Sequence, residues 1–136
     1  MTAVNTGDGI IGSWTLLSWR RIGPAGDVSW PHTQHGTGRL IYSPGNLMAG
    51  FLMAPGHAKG QQDDAQPLFV GYSGRFEIVD DIACHHVDFA SDTRMLHKVL
   101  RRRIEWISGD QLRLHTLAAQ GAPARDSRHE LVWQRD

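Results

Sequence analysis

Residues 68–89 read LFVGYSGRFEIVDDIACHHVDF and predict two β-strands joined by a tight turn. Aromatic and β-branched residues recur on both sides of Asp80 and Asp81, which form a turn-like dipeptide. A link this short makes the two strands antiparallel neighbours. The stretch therefore indicates an antiparallel sheet.

The same pattern recurs along the chain, as short runs that end at Gly, Pro, Asp or Asn. It predicts eight strands, near Ile10–Ile22, Thr37–Ser43, Leu47–Met53, Leu68–Val79, Ile82–Phe89, His97–Ile107, Gln111–Leu117 and Arg128–Gln134. Closure into a barrel removes the exposed edges of such a sheet and leaves room for one small ligand. We therefore predict an all-β fold, an eight-stranded antiparallel up-and-down barrel with an internal small-molecule pocket.

The composition indicates one soluble domain. The chain has 136 residues without a repeat or linker, so we predict a single barrel domain over residues 1–136. Lys plus Arg and Asp plus Glu both number 14, and no field that attracts nucleic acid or an anionic membrane is expected. Cys84 is the single cysteine, and neither a secretion signal nor a membrane-spanning run is evident, so we expect a cytoplasmic protein.

Two adjacent histidines, His85 and His86, occupy the fifth predicted strand, where neighbouring side chains point to opposite faces. Ala83, Val87 and Phe89 share the face of His85, so polarity favours His85 as the inward histidine. A pocket that performs chemistry need not be purely apolar, and His86 remains the alternative. The pair diverges and cannot converge on one metal ion, and we predict neither a metal nor a cofactor.

Five motifs follow one another in an order that resembles the bacterial lipocalin-like domain family. They are GSWTLLSW (12–19), GRLIYSPGNLMAGFLMAPG (38–56), YSGRFEIVDD (72–81), CHHVDF (84–89) and LVWQR (131–135). The resemblance covers nearly the whole chain and implies a calycin-type eight-stranded barrel, closed at one end and open to a small ligand at the other. It also implies that Trp14 packs at the closed end, under Arg135.

Carried over by position, the family pattern includes the two histidines, Tyr72, the step Gly74-Arg75 and an arginine in the sixth strand, which we assign to Arg103. The chain departs from the family pattern at ASDTRMLH (90–97). If this segment lines the pocket mouth, the ligand or reaction differs from that of the relatives.

These residues suggest cofactor-free acid–base chemistry on a small hydrophobic or aromatic, oxygenated molecule. An inward His85 or His86 would move a proton, while Tyr72 and Arg103 would orient the molecule and stabilise charge. Cyclisation, isomerisation, dehydration and lyase reactions fit this set. The residues expected to contact the ligand are Tyr42, Met48, Phe76, Phe89 and Trp133.

Three alternatives to catalysis stay open. The protein could be an intracellular carrier or sensor that releases its ligand unchanged, or the polar residues could form a hydrogen-bonded core cluster. The third alternative is an assembly module, which needs an exposed apolar patch. Leu17, Trp19 and Trp106 would supply one if they lie on the outer wall, and a homodimer could form through it. The segments 29–38 and 54–67 are candidates for lids over one end of the barrel.

Overall fold

The computed structural model describes residues 8–29, 37–53, 69–117 and 128–136. The predicted lid at 54–67 and most of the one at 29–38 lie outside these residues. The strands within them are β1 (Gly12–Ile22), β2 (Val28–Ser29), β3 (Thr37–Tyr42), β4 (Leu47–Met53), β5 (Phe69–Val79), β6 (Ile82–Ala90), β7 (Val99–Ser108), β8 (Gln111–Thr116) and β9 (Arg128–Arg135). Single 3-10 turns span Asp8–Ile10 and Thr93–Met95.

The sheet closes into a barrel because β1 pairs with both β3 and β9. From β3 to β9 each strand is antiparallel to its sequence neighbour. The two-residue β2 only lengthens the pairing of β1 at Arg21 and Ile22. The predicted eight-stranded antiparallel up-and-down barrel is therefore confirmed, with β2 as a short addition. No helix in the described ranges is long and apolar enough to span a membrane.

Trp14 and Arg135 close one end of the barrel. Trp14 is fully buried and donates a hydrogen bond from Nε1 to the carbonyl of Ile10 (3.0 Å). The guanidinium of Arg135 lies 4.3 Å from the centroid of the Trp14 ring. It also donates hydrogen bonds to the carbonyls of Gly9 and Ile11. The predicted packing of these two side chains is confirmed.

β-Bulges change the direction in which side chains point along β6 and β1. Ser73 pairs with Phe89 and Gly74 pairs with Val87, so Asp88 is an extra residue in β6. A bulge of this kind shifts the alternation of side chains beyond it. Phe89 is consequently 73% exposed. The prediction that Phe89 faces the ligand pocket is wrong for this reason.

A second bulge lies in β1, where Leu16 pairs with Trp133 and Ser18 pairs with Val132, which leaves Leu17 extra. Beyond the bulge Trp19 pairs with Leu131 and turns toward the barrel interior. Trp106 lies at the closed end, with its ring 6.0 Å from that of Trp14. Leu17, Trp19 and Trp106 therefore do not form one patch on the outer wall. The homodimer stays a prediction, but these three residues no longer support it.

Gly74 is required at the β6 bulge. A Cβ at this position would lie 1.7 Å from the carbonyl oxygen of His86 and 3.0 Å from the amide nitrogen of Asp88. Both atoms are backbone and cannot rotate away. A side chain at position 74 is therefore incompatible with the bulge, and the bulge in turn determines which β6 residues face the interior.

Candidate functional site

A mostly apolar cavity of about 230 Å³ occupies the half of the barrel away from Trp14. Its lining residues come from β1, all strands from β3 to β9 and the 3-10 turn at Thr93–Met95. They are Trp19, Leu40, Gly50, Phe51, Leu52, Val70, Tyr72, His85, Met95, Arg102, Leu114, Thr116, His129, Leu131 and Trp133. Sites for drug-sized ligands typically measure about 300–1,000 Å³, so this cavity suits a smaller molecule.

Three residues expected to contact the ligand lie in the packed core instead. Tyr42, Met48 and Phe76 are 1%, 3% and 4% exposed and are not among the residues that line the cavity. The rings of Tyr42 and Phe76 make an edge-on contact with centroids 4.7 Å apart. These residues are part of the core that supports the site. Of the five predicted contacts, Trp133 lines the cavity.

His85 is the inward histidine, as the polarity of its strand predicted. It is 1% exposed and lies between two tyrosines. The hydroxyl of Tyr42 is 2.6 Å from His85 Nε2, and the hydroxyl of Tyr72 is 2.7 Å from His85 Nδ1. Both ring nitrogens are therefore occupied by hydrogen bonds. β6 carries the histidine, whereas β3 and β5 carry the tyrosines.

The electrostatics of this cluster keep its groups uncharged near neutral pH. Burial, followed by the charges of Arg102 and His86, lowers the pKa of His85 from 6.5 to about 3. Burial raises the pKa of Tyr42 well above 10.0. Burial also raises the pKa of Tyr72, against a smaller opposing effect of the charge and hydrogen bonding of Arg102. A neutral imidazole then bridges two protonated phenols.

Arg102, and not Arg103, is the arginine that β7 presents to this cluster. Arg102 lines the cavity, whereas Arg103 is exposed on the opposite face. Arg102 pairs with Ala83 and Thr116 in the neighbouring strands and donates a hydrogen bond to the carbonyl of Arg101. The assignment of Arg103 is corrected because adjacent strand residues point to opposite faces.

His86 lies on the outer face of β6, as the opposite orientation of the two histidines requires. Its Nε2 is 3.0 Å from the Glu77 carboxylate, and both side chains are partly open to solvent. A positive charge on His86 is the smallest of the three causes that lower the pKa of His85.

Several cavity residues were missed by sequence reasoning. Arg102 could have been found, because Leu100 and Ile104 place it on the apolar face of its strand. Trp19 could not, because the bulge at Leu17 reverses its face. His129 also lines the cavity, and its Nδ1 accepts a hydrogen bond from Trp19 Nε1 (2.9 Å). No signal in the sequence singled out that pair.

The segment in which the chain departs from the family pattern does reach the cavity. Met95, in the 3-10 turn at Thr93–Met95, is one of the lining residues. Asp92 caps this turn by accepting a hydrogen bond from the amide of Arg94. The turn ends before His97, which has a positive φ of 64°. The strand β7 begins at Val99 and not at His97, where the sequence predicted its start.

A family match and a solved β-barrel agree with this architecture. A family model described as a lipocalin-like domain matches residues 11–136. A solved redesigned β-barrel superposes with a TM-score of 0.52 at 9% identity, covering 100% of this chain and 99% of that one. A de novo designed fluorescence-activating β-barrel gives 0.46 at 11% identity, covering 93% of each chain. The comparison with curated proteins found no match.

Proposed function

The chain belongs to the lipocalin-like domain family, and we propose that it binds one small, largely apolar, oxygen-bearing molecule in the cavity of its barrel. The family and the closed barrel support small-molecule binding in general. The residues that line the cavity support the more specific statement that the molecule is largely apolar and carries an oxygen.

The apolar part of the lining supports a hydrophobic or aromatic ligand. Leucine side chains from four strands and the rings of Trp19 and Trp133 surround the space. Flat aromatic surfaces and branched aliphatic side chains give a ligand large contact area. Met95 adds a flexible, polarisable side chain that adapts to the ligand's shape.

The polar part of the lining carries the proposal. Tyr72, His85 and Arg102 converge on one wall of a mostly apolar cavity, and Tyr42 holds His85 from the core side. A few placed polar groups in an apolar pocket are the usual means of orienting a ligand. The ligand is therefore expected to carry an oxygen that meets this wall.

Catalysis on the bound molecule is the second candidate function, and the same cluster favours it. His85 is poorly suited to be the base, since its pKa is about 3 and both nitrogens are already bonded to tyrosines. Tyr72 is the better candidate for the group that meets the substrate, because it lines the cavity and lies beside Arg102. His85 then positions Tyr72, and the chemistry is proton donation or charge stabilisation at an oxygen.

Native mass spectrometry of gently purified protein tests the binding proposal. We expect an adduct of small mass that survives in the variant Phe89→Ser and is lost in Val70→Trp, which places an indole in the cavity. A ligand retained at full occupancy by a correctly folded Val70→Trp protein would place the binding site elsewhere and refute the proposal.

Incubation of the identified adduct separates the carrier from the enzyme. If wild type converts the molecule and Tyr72→Phe saturated with the same molecule does not, the cluster is catalytic. If the compound is recovered unchanged after prolonged incubation with wild type, the protein is a carrier or sensor.

A further inference from the structure

We infer that the ligand carries an anionic oxygen, such as a carboxylate, which the Arg102 guanidinium and the Tyr72 hydroxyl hold together. This inference rests on the proposed function and specifies the chemical class of the ligand. It follows from the direction of the hydrogen bonds through His85 and from the charge of Arg102.

The burial of Tyr42 determines which ring nitrogen of His85 carries the proton. A neutral imidazole donates from one ring nitrogen and accepts at the other. If Nε2 donated to Tyr42, the hydroxyl hydrogen of Tyr42 would have no acceptor among the described residues, although this side chain is 1% exposed. A buried donor left without a partner costs about 1–3 kcal/mol. Tyr42 therefore donates to Nε2, and the imidazole proton lies on Nδ1.

This direction leaves the hydrogen of Tyr72 for the ligand. His85 Nδ1 donates to the oxygen of Tyr72, so the Tyr72 hydroxyl cannot also donate back to that nitrogen. Tyr72 lines the cavity, and its hydroxyl hydrogen is free to point there. The hydroxyl receives the imidazole N–H and lies beside Arg102, and both strengthen it as a donor.

Arg102 makes an anionic partner more favourable than a neutral one. It is the permanently charged residue among those lining the cavity, and within the described part of the chain it forms no ion pair. A charge beside apolar walls is costly without a partner of opposite sign. A ligand carboxylate would supply that partner and accept from Tyr72 at the same time. A neutral carbonyl could also accept from both groups, but it would leave the charge of Arg102 without an opposite charge.

A matched pair of probes tests the inference by isothermal titration calorimetry at pH 7.5. The acid is 2-naphthoate, and its neutral counterpart is 2-naphthamide, which has the same ring and nearly the same shape. We expect wild type to bind the acid about ten- to a hundred-fold more tightly than the amide. Arg102→Met should abolish this preference, and Arg102→Lys should retain part of it.

Arg103→Met is the matched control, because Arg103 lies next in the same strand but on the outer face. It should keep the full preference for the acid. Circular dichroism and thermal unfolding of each variant establish that the barrel is intact. Tyr72→Phe should weaken both probes, and the acid more than the amide, since both oxygens accept from the hydroxyl and the carboxylate forms the stronger hydrogen bond.

The possible results separate the two proposals. Equal binding of acid and amide by wild type, or an unchanged preference in a folded Arg102→Met protein, overturns the anionic ligand and leaves the binding cavity standing. Failure of both probes to bind wild type up to their solubility limits contradicts the proposed aromatic-ligand site itself, and the inference falls with it.

Discussion

The hydroxyl of Tyr42 lies 2.6 Å from Nε2 of His85, and the two side chains are each only 1% exposed. A hydrogen bond between two buried groups ties the core of the barrel to the wall of its cavity. Its loss cannot be offset by water, because solvent does not reach either group. Tyr42 therefore fixes, from the core side, the orientation of the His85 ring that Tyr72 contacts at the cavity wall.

Tyr42→Phe should destabilise the protein by about 1–3 kcal/mol, because it leaves His85 Nε2 buried without a donor. The double variant Tyr42→Phe/His85→Leu should lose less than the sum of its single variants, since it removes both partners. Urea unfolding of the four proteins measures this difference. Additive losses would show that the two groups are not coupled.

Acid should destabilise the folded protein through His85. Its pKa is about 3 in the folded state against 6.5 for an exposed histidine, so between these values the unfolded chain binds a proton that the folded protein does not. The contribution of neutral His85 is fully present above pH 6.5 and is lost as the pH falls toward 3. The slope approaches about 1.4 kcal/mol per pH unit.

Urea unfolding at several values between about pH 5 and 7 isolates this effect from the carboxylates, which titrate lower. His85→Gln should flatten the dependence of the unfolding free energy on pH relative to wild type. His86→Gln, on the exposed side of the same strand, should leave most of it in place. Parallel profiles for wild type and His85→Gln would contradict the assignment.

Arg135→Ala should destabilise the closed end by about 1–3 kcal/mol, because it removes the contact with Trp14 and hydrogen bonds to three backbone carbonyls. Arg135→Lys should recover only part of the loss, since an ammonium lacks the planar fork of donors. Thermal unfolding measures both. Arg128→Ala, which removes a mostly exposed arginine from the other end of β9, serves as the control.

Gly74→Ala should be among the most damaging small substitutions in the protein. The new Cβ would lie 1.7 Å from the His86 carbonyl oxygen, so the bulge must rearrange. Gly109→Ala adds the same methyl group where no atom lies within 4 Å and should be nearly neutral. Equal melting temperatures for the two variants would show that the bulge tolerates a side chain.

Val70→Trp should abolish ligand binding while the barrel stays folded, since residue 70 lines the cavity and is only half-buried. Phe89→Ser should leave binding unchanged, because the side chain it removes is on the outside. Native mass spectrometry compares their ligand occupancy. A large loss of ligand in Phe89→Ser would contradict the position of the bulge at Asp88.

Side-chain alternation was enough to predict the barrel and the inward orientation of His85. Strands with one apolar face have period two, and the short turn at Asp80 and Asp81 makes their direction antiparallel. Trp14 and Arg135 were placed by resemblance to the family. These features depend on local pattern or on the order of motifs, both of which are visible in one sequence.

Side-chain alternation could not predict which residues point inward beyond the bulges. An extra residue at Leu17 or Asp88 leaves no mark in composition, yet it turns Trp19 inward and Phe89 outward. Arg102 is a different case, because the apolar residues of its strand do indicate its face and Arg103 was chosen by family resemblance instead. The hydrogen bonds that link Tyr42 through His85 to Tyr72 join three strands, and no local sequence pattern predicts them.

The double role of β1 has a consequence for synthesis on the ribosome. β1 pairs with β3 along Gly12–Thr15 and with β9 along nearly its whole length, so one of its edges stays open until β9 has been translated. Barrel closure therefore depends on contacts of high sequence separation, which slow folding. A nascent chain halted before residue 128 would present the unpaired edge of β1 to chaperones or to other chains.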